Sequence, residues 1–341
     1  MSGFDSAAGV LRDAIAARVF PAAAAEVGSS GGVVWQQAFG TLTFDEAAAP
    51  AEIDTPFDLA SLTKVIATAT GIMRLVHDRA LRLDEPVASL VDEWRGADRA
   101  AVTVRDLLEH ASGLAARLVD PPGEGRREFE HDICTMKLEC APRSKSIYSD
   151  LGFILLGFIV VDRSGVPLAE QFPLRPETGG DLRHRAAPTI PMDTDRRRGE
   201  TLVGEVHDNY AAALGGMAGH AGLFGSAPAV GGFARTVLRA ARGETGLPPP
   251  FSPDLVRQFT TKSTVPGSSR ALGWDTMLPT SSCGTRMSAS AFGHVGFTGT
   301  SLWIDPARDR YFVLLTNRAY GGGTIDQMRD VRRAFHDAPV D

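Results

Sequence analysis

A chain of 341 residues is long enough to bury a large core, as one big domain or as two joined ones. Its apolar fraction of 43% and charged fraction of 22% are those of an ordinary globular protein. The formal net charge is −6 and the lysines are only Lys64, Lys137, Lys145 and Lys262, so no basic stripe exists for a nucleic-acid partner.

Taken in chain order, Asp5 and Asp13 interrupt any apolar leader. The expectation is a cytoplasmic protein if the sequence is complete, and a periplasmic or secreted one if a leader has been removed. Phe4, Ala7, Ala8, Leu11, Ile15 and Val19 fall at helical spacing and predict an opening amphipathic helix. The run Gly28-Ser29-Ser30-Gly31-Gly32 matches the GxSxG nucleophile elbow, which needs a strand before the serine and a helix after it. Here a helix precedes and a strand, Gly31–Gly40, follows, so the run reads as a flexible turn between them. A second helix starts near Ala60 and carries Leu62, Val65, Ile66, Ala69, Ile72, Met73 and Val76 on one face.

From about Leu81 to Leu214 the pattern is helix and loop. Thr103 caps VRDLLEH, with Gly113 near its end, and Asp150 begins an apolar helix that Gly165 closes. Its apolar block, Leu151–Val161, is too short to span a bilayer, so no membrane partner is expected. The stretch Arg183 to Arg198 is rich in arginine but carries Asp193 and Asp195, and reads as a solvated loop. Ser226 and Ser252-Pro253 then start helices. Strand-like runs follow at Leu272–Leu278, Ala291–Thr298, Ser301–Ile304 and Tyr311–Thr316, the last two joined by the turn-rich DPARDR. A final helix runs from Thr324 through Phe335. Strand signals at both ends and helices between them predict an α/β (α+β) fold. Its antiparallel sheet, flanked by helices, is built from residues 1–80 and 215–341, and an all-helical domain, 81–214, is inserted.

The chemistry starts at Asp58-Leu-Ala-Ser61-Leu-Thr-Lys64. Ser61 sits in the first turn of a helix and Lys64 lies three residues on, so both side chains share a face. A serine hydroxyl needs a neighbour to take its proton, and a lysine can do so where desolvation or nearby positive charge lowers its pKa. The helix N-terminus favours the oxyanion that develops. The spacing alone is weak evidence, because surface serines and lysines need no function. Two further pieces give it weight: Tyr148-Ser149-Asp150 before the apolar helix, and His294-Val295-Gly296 in a late strand.

With these pieces the sequence resembles the serine β-lactamase and penicillin-binding-protein superfamily, on its class C β-lactamase, esterase and DD-peptidase branch. The blocks FDLASLTK, VTVRDLLEHASGL, IYSDLGFILLG, GEVHDNYAAALGGMAGHAGLF, GHVGFTGTSLWIDP and FVLLTNR carry the resemblance, in family order, from about residue 20 onward. The resemblance implies the β-lactamase/transpeptidase-like fold and a hydrolase that forms an acyl-enzyme on Ser61, with Lys64 as base. Tyr148 takes the place of the tyrosine in the YxN motif, Asp150 that of its asparagine, and His294-Val295-Gly296 that of Lys-Thr-Gly. Backbone N–H groups of Ser61 and Phe297 are the implied oxyanion hole, and Asn317 falls at a position near the pocket mouth. Neither cofactor nor metal is implied. The alternatives are a DD-carboxypeptidase or weak β-lactamase, or a non-catalytic binding module on the same scaffold.

Two departures bear on substrate. His294 replaces a fixed positive charge with a group mostly neutral near pH 7, and Val295 lacks the threonine hydroxyl. Asp150 replaces an amide with a carboxylate that only accepts while ionised. Together they point to neutral acyl esters or amides as small-molecule substrates. Asp150 beside Lys64 would also raise the lysine pKa, so it either points elsewhere or shares a proton with it.

Other polar residues read more plainly. Gly296 suits a strand edge that a substrate approaches. His110 is expected to support a helix C-terminus, and His207, Asp208 and His220 to act as structural hydrogen-bonders. Cys134, Cys140 and Cys283 form no CxxC pair, and no HExxH occurs, so free thiols and no zinc are expected.

Overall fold

The computed structural model describes residues 3–118, 123–171 and 185–338. The chain opens with α1 (Gly3–Ala16) and a hairpin of β1 (Ala22–Ser29) and β2 (Gly32–Gly40), followed by a two-residue strand β3 (Phe57–Asp58). A π-helical turn, Lys64–Ala69, runs into α2 (Thr70–His77). Helices α3 (Val104–Leu108), α4 (Arg126–Thr135), α5 (Asp150–Ser164) and α6 (Asn209–Ala213) follow. Then come β4 (Phe224–Gly225), α7 (Ala227–Ala241), α8 (Pro253–Thr260), β5 (Asp275–Thr276), β6 (Phe292–Val295), β7 (Ser301–Asp305), β8 (Arg310–Thr316) and α9 (Ile325–Asp337).

Six strands form one antiparallel sheet in the order β2-β1-β8-β7-β6-β5, so both ends of the chain build it, as expected. β1 forms although its alanine run carries no strand signal in the sequence. The glycine–serine run is therefore the hairpin turn between β1 and β2, with Ser29 opposite Gly32. The four alanines of β1 lack the branched side chains of a typical strand, but β1 lies between β2 and β8 with both faces covered. Alternation survives there: Ala22 and Ala24 face one core cluster while Ala23, Ala25 and Val27 face the other. β8 divides likewise, with Tyr311, Val313 and Leu315 on one side and Phe312 and Leu314 on the other.

One face of the sheet is covered by α1 and α9 through Leu11, Met328 and Phe335. The other packs on α7, and its core continues without a break through α2 and α5 into Leu81, Trp94, Phe129 and Leu155 from the helical middle of the chain. The expected strands Leu272–Leu278 and Ala291–Thr298 shorten to β5 and β6. A turn closed by Gly296 N–H on the Thr300 carbonyl (2.8 Å) stops β6 early. Among the described residues no helix is long and apolar enough to cross a membrane.

Candidate active site

Ser61 is held from three directions. Asp58, fully buried at the end of β3, accepts the Ala60 N–H (2.8 Å) and the His207 N–H (2.7 Å). Thr298 and Thr300 hydroxyls donate to the carbonyls of Asp58 (2.7 Å) and Leu59 (3.0 Å). Between these anchors Ala60 adopts a φ of 47°, a left-handed conformation that costs a non-glycine residue about 1 kcal/mol and turns Ser61 toward the cleft. Burial raises the Asp58 carboxyl to about 6, against the two N–H bonds that favour its charge.

The expected constellation converges. Lys64, fully buried, donates from Nζ to Ser61 Oγ (3.1 Å), Asp150 Oδ1 (2.7 Å) and the His220 carbonyl (3.1 Å). Nζ also lies 4.9 Å from the Tyr148 ring centroid. Asp150 thus points straight at Lys64. Burial pulls the lysine pKa down, but the Asp150 carboxylate and Tyr148 outweigh it and the net direction is up.

Tyr148 and Asp150 are positioned by the N-cap of α5. Ser149 Oγ accepts the Gly152 N–H and donates to the Ala115 carbonyl (2.6 Å), while its N–H goes to His110 Nδ1 (3.0 Å). His110 also accepts the Ile147 N–H at its carbonyl (2.9 Å) and packs its ring 4.7 Å from that of Tyr148. It is a clamp on the Tyr148 segment, more than a support for its own helix end. The loop that carries His220 meets α5 where Gly219 crosses Gly157. A Cβ on Gly219 would stand 1.9 Å from the Phe153 carbonyl, so only glycine lets the two backbones approach.

Two cavities meet at Ser61, Tyr148 and Phe297. The first, of about 290 Å³, includes Arg117, Asp150, Asp208 and His220 in its wall. Arg117 Nη1 donates to Asp150 Oδ2 (2.8 Å) and Asp208 Oδ2 (3.0 Å), and His220 Nε2 meets Asp208 Oδ1 at 2.7 Å. His207, Asp208 and His220, expected as structural residues, all line this cavity. Asp150, Asp208 and His220 place possible metal-ligand atoms within 4.8 Å of one another. Lys64 and Arg117 already occupy the two carboxylates, so the donor set is satisfied by side-chain cations.

The second cavity, about 470 Å³, lies along His294, Val295 and Gly296. His294 is buried, its Nδ1 against the Val295 carbonyl (2.9 Å) and its Nε2 without a partner among the described residues. Burial, with Arg270 and Lys64 nearby, pushes its pKa well below the usual imidazole range, so it is neutral. The positive charge His294 does not carry comes from Arg270, Arg318 and Arg332 in the same wall. Gly296 is required internally. A Cβ there would meet Thr300 Oγ1 at 2.1 Å and the Leu59 carbonyl at 2.7 Å.

Ser61 and Phe297 both line the junction, and neither backbone N–H donates to an acceptor among the described residues. Phe297, 43% exposed, stacks on His207 (5.2 Å) and under Arg318 (4.7 Å). With Met192 and Ile325 it gives the two cavities an exposed apolar rim. Asn317 does not reach the site. It is buried, with its amide nitrogen on the carbonyls of Leu42 (2.9 Å) and Pro188 (3.1 Å) and its oxygen on the Ala22 N–H (3.1 Å), clamping the start of β1. The next residue, Arg318, is the one that lines the cleft.

A family model described as Beta-lactamase matches residues 7–336. A curated protein of Escherichia coli (strain K12), named "Putative D-alanyl-D-alanine carboxypeptidase", is 30% identical over 308 residues, 78% of this chain and 70% of its own length. A solved structure titled "EstCE1, a hydrolase with promiscuous acyltransferase activity" superposes with a TM-score of 0.75 at 20% identity over 98% of both chains. A class C beta lactamase from Rhodobacter sphaeroides does so with 0.75 at 19%, again over 98% of both. The two structures are similar in fold, while the family model spans nearly the whole chain. The chain belongs to the beta-lactamase family of serine hydrolases.

Proposed function

We propose that the protein cleaves a small ester or amide through an acyl-enzyme on Ser61. The observation that carries this reading is the 3.1 Å approach of Lys64 Nζ to Ser61 Oγ at the junction of two cavities, with Tyr148 on the same wall. Ser61 Oγ attacks the carbonyl carbon, and its proton passes to Lys64 and on, with Tyr148, to the leaving oxygen or nitrogen. The N–H groups of Ser61 and Phe297 receive the oxyanion, worth on the order of 3 kcal/mol per donor in such sites. Water then attacks the ester formed on Ser61 and releases the acid. The apolar rim of Met192, Phe297 and Ile325 supports an uncharged acyl portion.

To test this, the protein is treated with a fluorophosphonate probe and, separately, a labelled penicillin, and the modified peptide is found by mass spectrometry. Label on Ser61 is expected from the fluorophosphonate. Label on another residue, or none, overturns the mechanism.

A second reading is favoured by Arg270, Arg318 and Arg332. Such a cluster suits a substrate that carries a carboxylate beside the scissile bond, as the carboxypeptidase name of the Escherichia coli relative describes. On this reading the protein works where cell-wall peptide is present, outside the cytoplasm. The two readings separate on a short-chain nitrophenyl ester against a chromogenic cephalosporin. A strong preference for the ester supports neutral substrates, and comparable turnover counts against that preference.

A further inference from the structure

A carboxylate stands where the base must lose a proton, and it is part of a closed circuit. Lys64 Nζ donates to Asp150 Oδ1 (2.7 Å), and Asp150 Oδ2 accepts from Arg117 Nη1 (2.8 Å). The same guanidinium reaches Asp208 Oδ2 (3.0 Å) and, through Nη2, Asn209 Oδ1 (2.7 Å). Asp208 Oδ1 accepts from His220 Nε2 (2.7 Å), and the His220 carbonyl accepts from Lys64 (3.1 Å), which closes the ring. Arg117 lies over the ring face of Tyr210, its Cζ 4.0 Å from the centroid, so it is held from a second side.

We propose that Arg117, held by Asp208 and His220, is a positioning residue that keeps Asp150 an ionised carboxylate against Lys64, and so sets the pH at which Ser61 becomes a nucleophile. This rests on the Ser61 reading above. The Lys64 proton crosses from Nζ to Asp150 Oδ1, leaving an amine and a carboxylic acid. The amine then takes the Ser61 hydroxyl proton as Oγ attacks. Apart from Ser61, no group outside the ring gains or loses a proton. An Asp150 that is already protonated cannot accept, so its ionisation forms the acid limb of the rate profile.

The groups that face Asp150 act with known signs. Lys64, Arg117 and His220 favour its charged form, and Asp208 disfavours it. Burial is the largest influence and pushes its carboxyl up, but the favourable partners, Lys64 foremost, outweigh it and leave it below its usual range. Lys64 is faced by Asp150, Tyr148 and the His220 carbonyl. Beyond Tyr148 lie His110, Arg270 and His294.

The test is the rate of Ser61 labelling by a fluorophosphonate probe as a function of pH. It is run on the full chain and on Arg117→Gln, Arg117→Lys and Asp208→Asn, with melting temperatures recorded. Arg117→Gln is expected to move the acid limb up by about one pH unit, and Arg117→Lys by less than about half a unit. Asp208→Asn removes a like charge and is expected to move the limb down. A merely structural role would lower the rate at every pH and leave the limb in place. The proposal is overturned by an unmoved limb in Arg117→Gln, by an equal shift in Arg117→Lys, or by an upward shift in Asp208→Asn. If Arg117→Gln does not fold, the direction seen in Asp208→Asn decides. A wild-type protein that labels at no pH sinks the Ser61 reading itself, whereas labelling with unmoved limbs sinks only the role of Arg117.

Discussion

The two cavities that meet at Ser61 treat charge in opposite ways. Asp150, Arg117 and Asp208 in the wall of the smaller one, with Lys64 buried behind it, alternate in sign, and each has an opposite charge within 3.0 Å. In the larger one Arg270, Arg318 and Arg332 make no ion pair among the described residues, and Asp275 is the one carboxylate in the wall. Burial alone lowers the Arg318 pKa, and burial together with Arg318 brings Arg332 down to about 9. A compensated network holds side chains in place and asks nothing of a ligand. In the larger cavity Arg318 donates to the carbonyls of Phe297 and Gly323 and Arg332 to those of Gly296 and Thr300, so the guanidinium groups are hydrogen-bonded but lack a counter-charge. The contrast supports positioning by the first cavity and, on the second of the proposed readings, anion recognition by the second.

The largest effect is expected from breaking the compensated side. Lys64→Ala leaves Asp150 buried with only Arg117 and removes the proton acceptor. Labelling of Ser61 should slow by at least about 10³-fold, and chemical denaturation should show a loss of about 3 kcal/mol. A variant that labels as fast as wild type would remove Lys64 from the mechanism. Tyr148→Phe, on the wall shared by both cavities, should lower kcat by roughly 10²-fold while KM changes little. An unchanged kcat would reduce Tyr148 to packing.

The next test is acid, because neutral buried histidines sit around the arginine side. His336, hydrogen-bonded to Ser301, has its pKa lowered by burial and by Arg332 to about 3, and His110 and His294 lie well below the usual range. The unfolded chain binds these protons near pH 6.5 and the folded one does not. The stability they contribute is present above pH 6.5 and is lost as pH falls toward 3. At pH 5 the loss from His336 is on the order of 2 kcal/mol. Asp58 works the other way. Its raised pKa makes the folded state the better proton acceptor between about 4 and 6, so it returns part of that loss. The melting temperature should fall between pH 7.5 and 5, and the fall should be smaller in His336→Gln. The smallest effect belongs to Arg270→Gln. KM for a chromogenic cephalosporin should rise about 10-fold, that for a nitrophenyl ester by less than about 2-fold, with no loss in melting temperature. An equal change for both substrates would remove anion recognition from the larger cavity.

Much of the fold was legible in the sequence because its periodicities are strong. The helix from Asp150 to Gly165 carries its Ser149 cap, its apolar run and its left-handed glycine in order. The Ser301–Thr316 hairpin carries alternation and a turn. β1 was not legible, since alanine becomes a strand former only when both faces are already covered by other elements. The site divides the same way. Ser61, Lys64 and Tyr148 stand in blocks whose order along the chain is informative. Arg117 and Arg270 stand in segments with no local pattern, and only tertiary packing brings them to Asp150 and Tyr148. Asn317 shows the limit of reading a role by position, because its amide is spent on three backbone groups while its neighbour Arg318 faces the cleft.

Ala60 carries a consequence for engineering this chain. A left-handed alanine before the nucleophile is a place where glycine would be easier to accommodate. Ala60→Gly is expected to gain up to about 1 kcal/mol in the folded state. That variant would also have more backbone freedom at the residue that aims Ser61, so labelling should slow as the protein becomes harder to melt. Selection for heat resistance alone would therefore drift toward glycine at this position, and selection for turnover would hold alanine there.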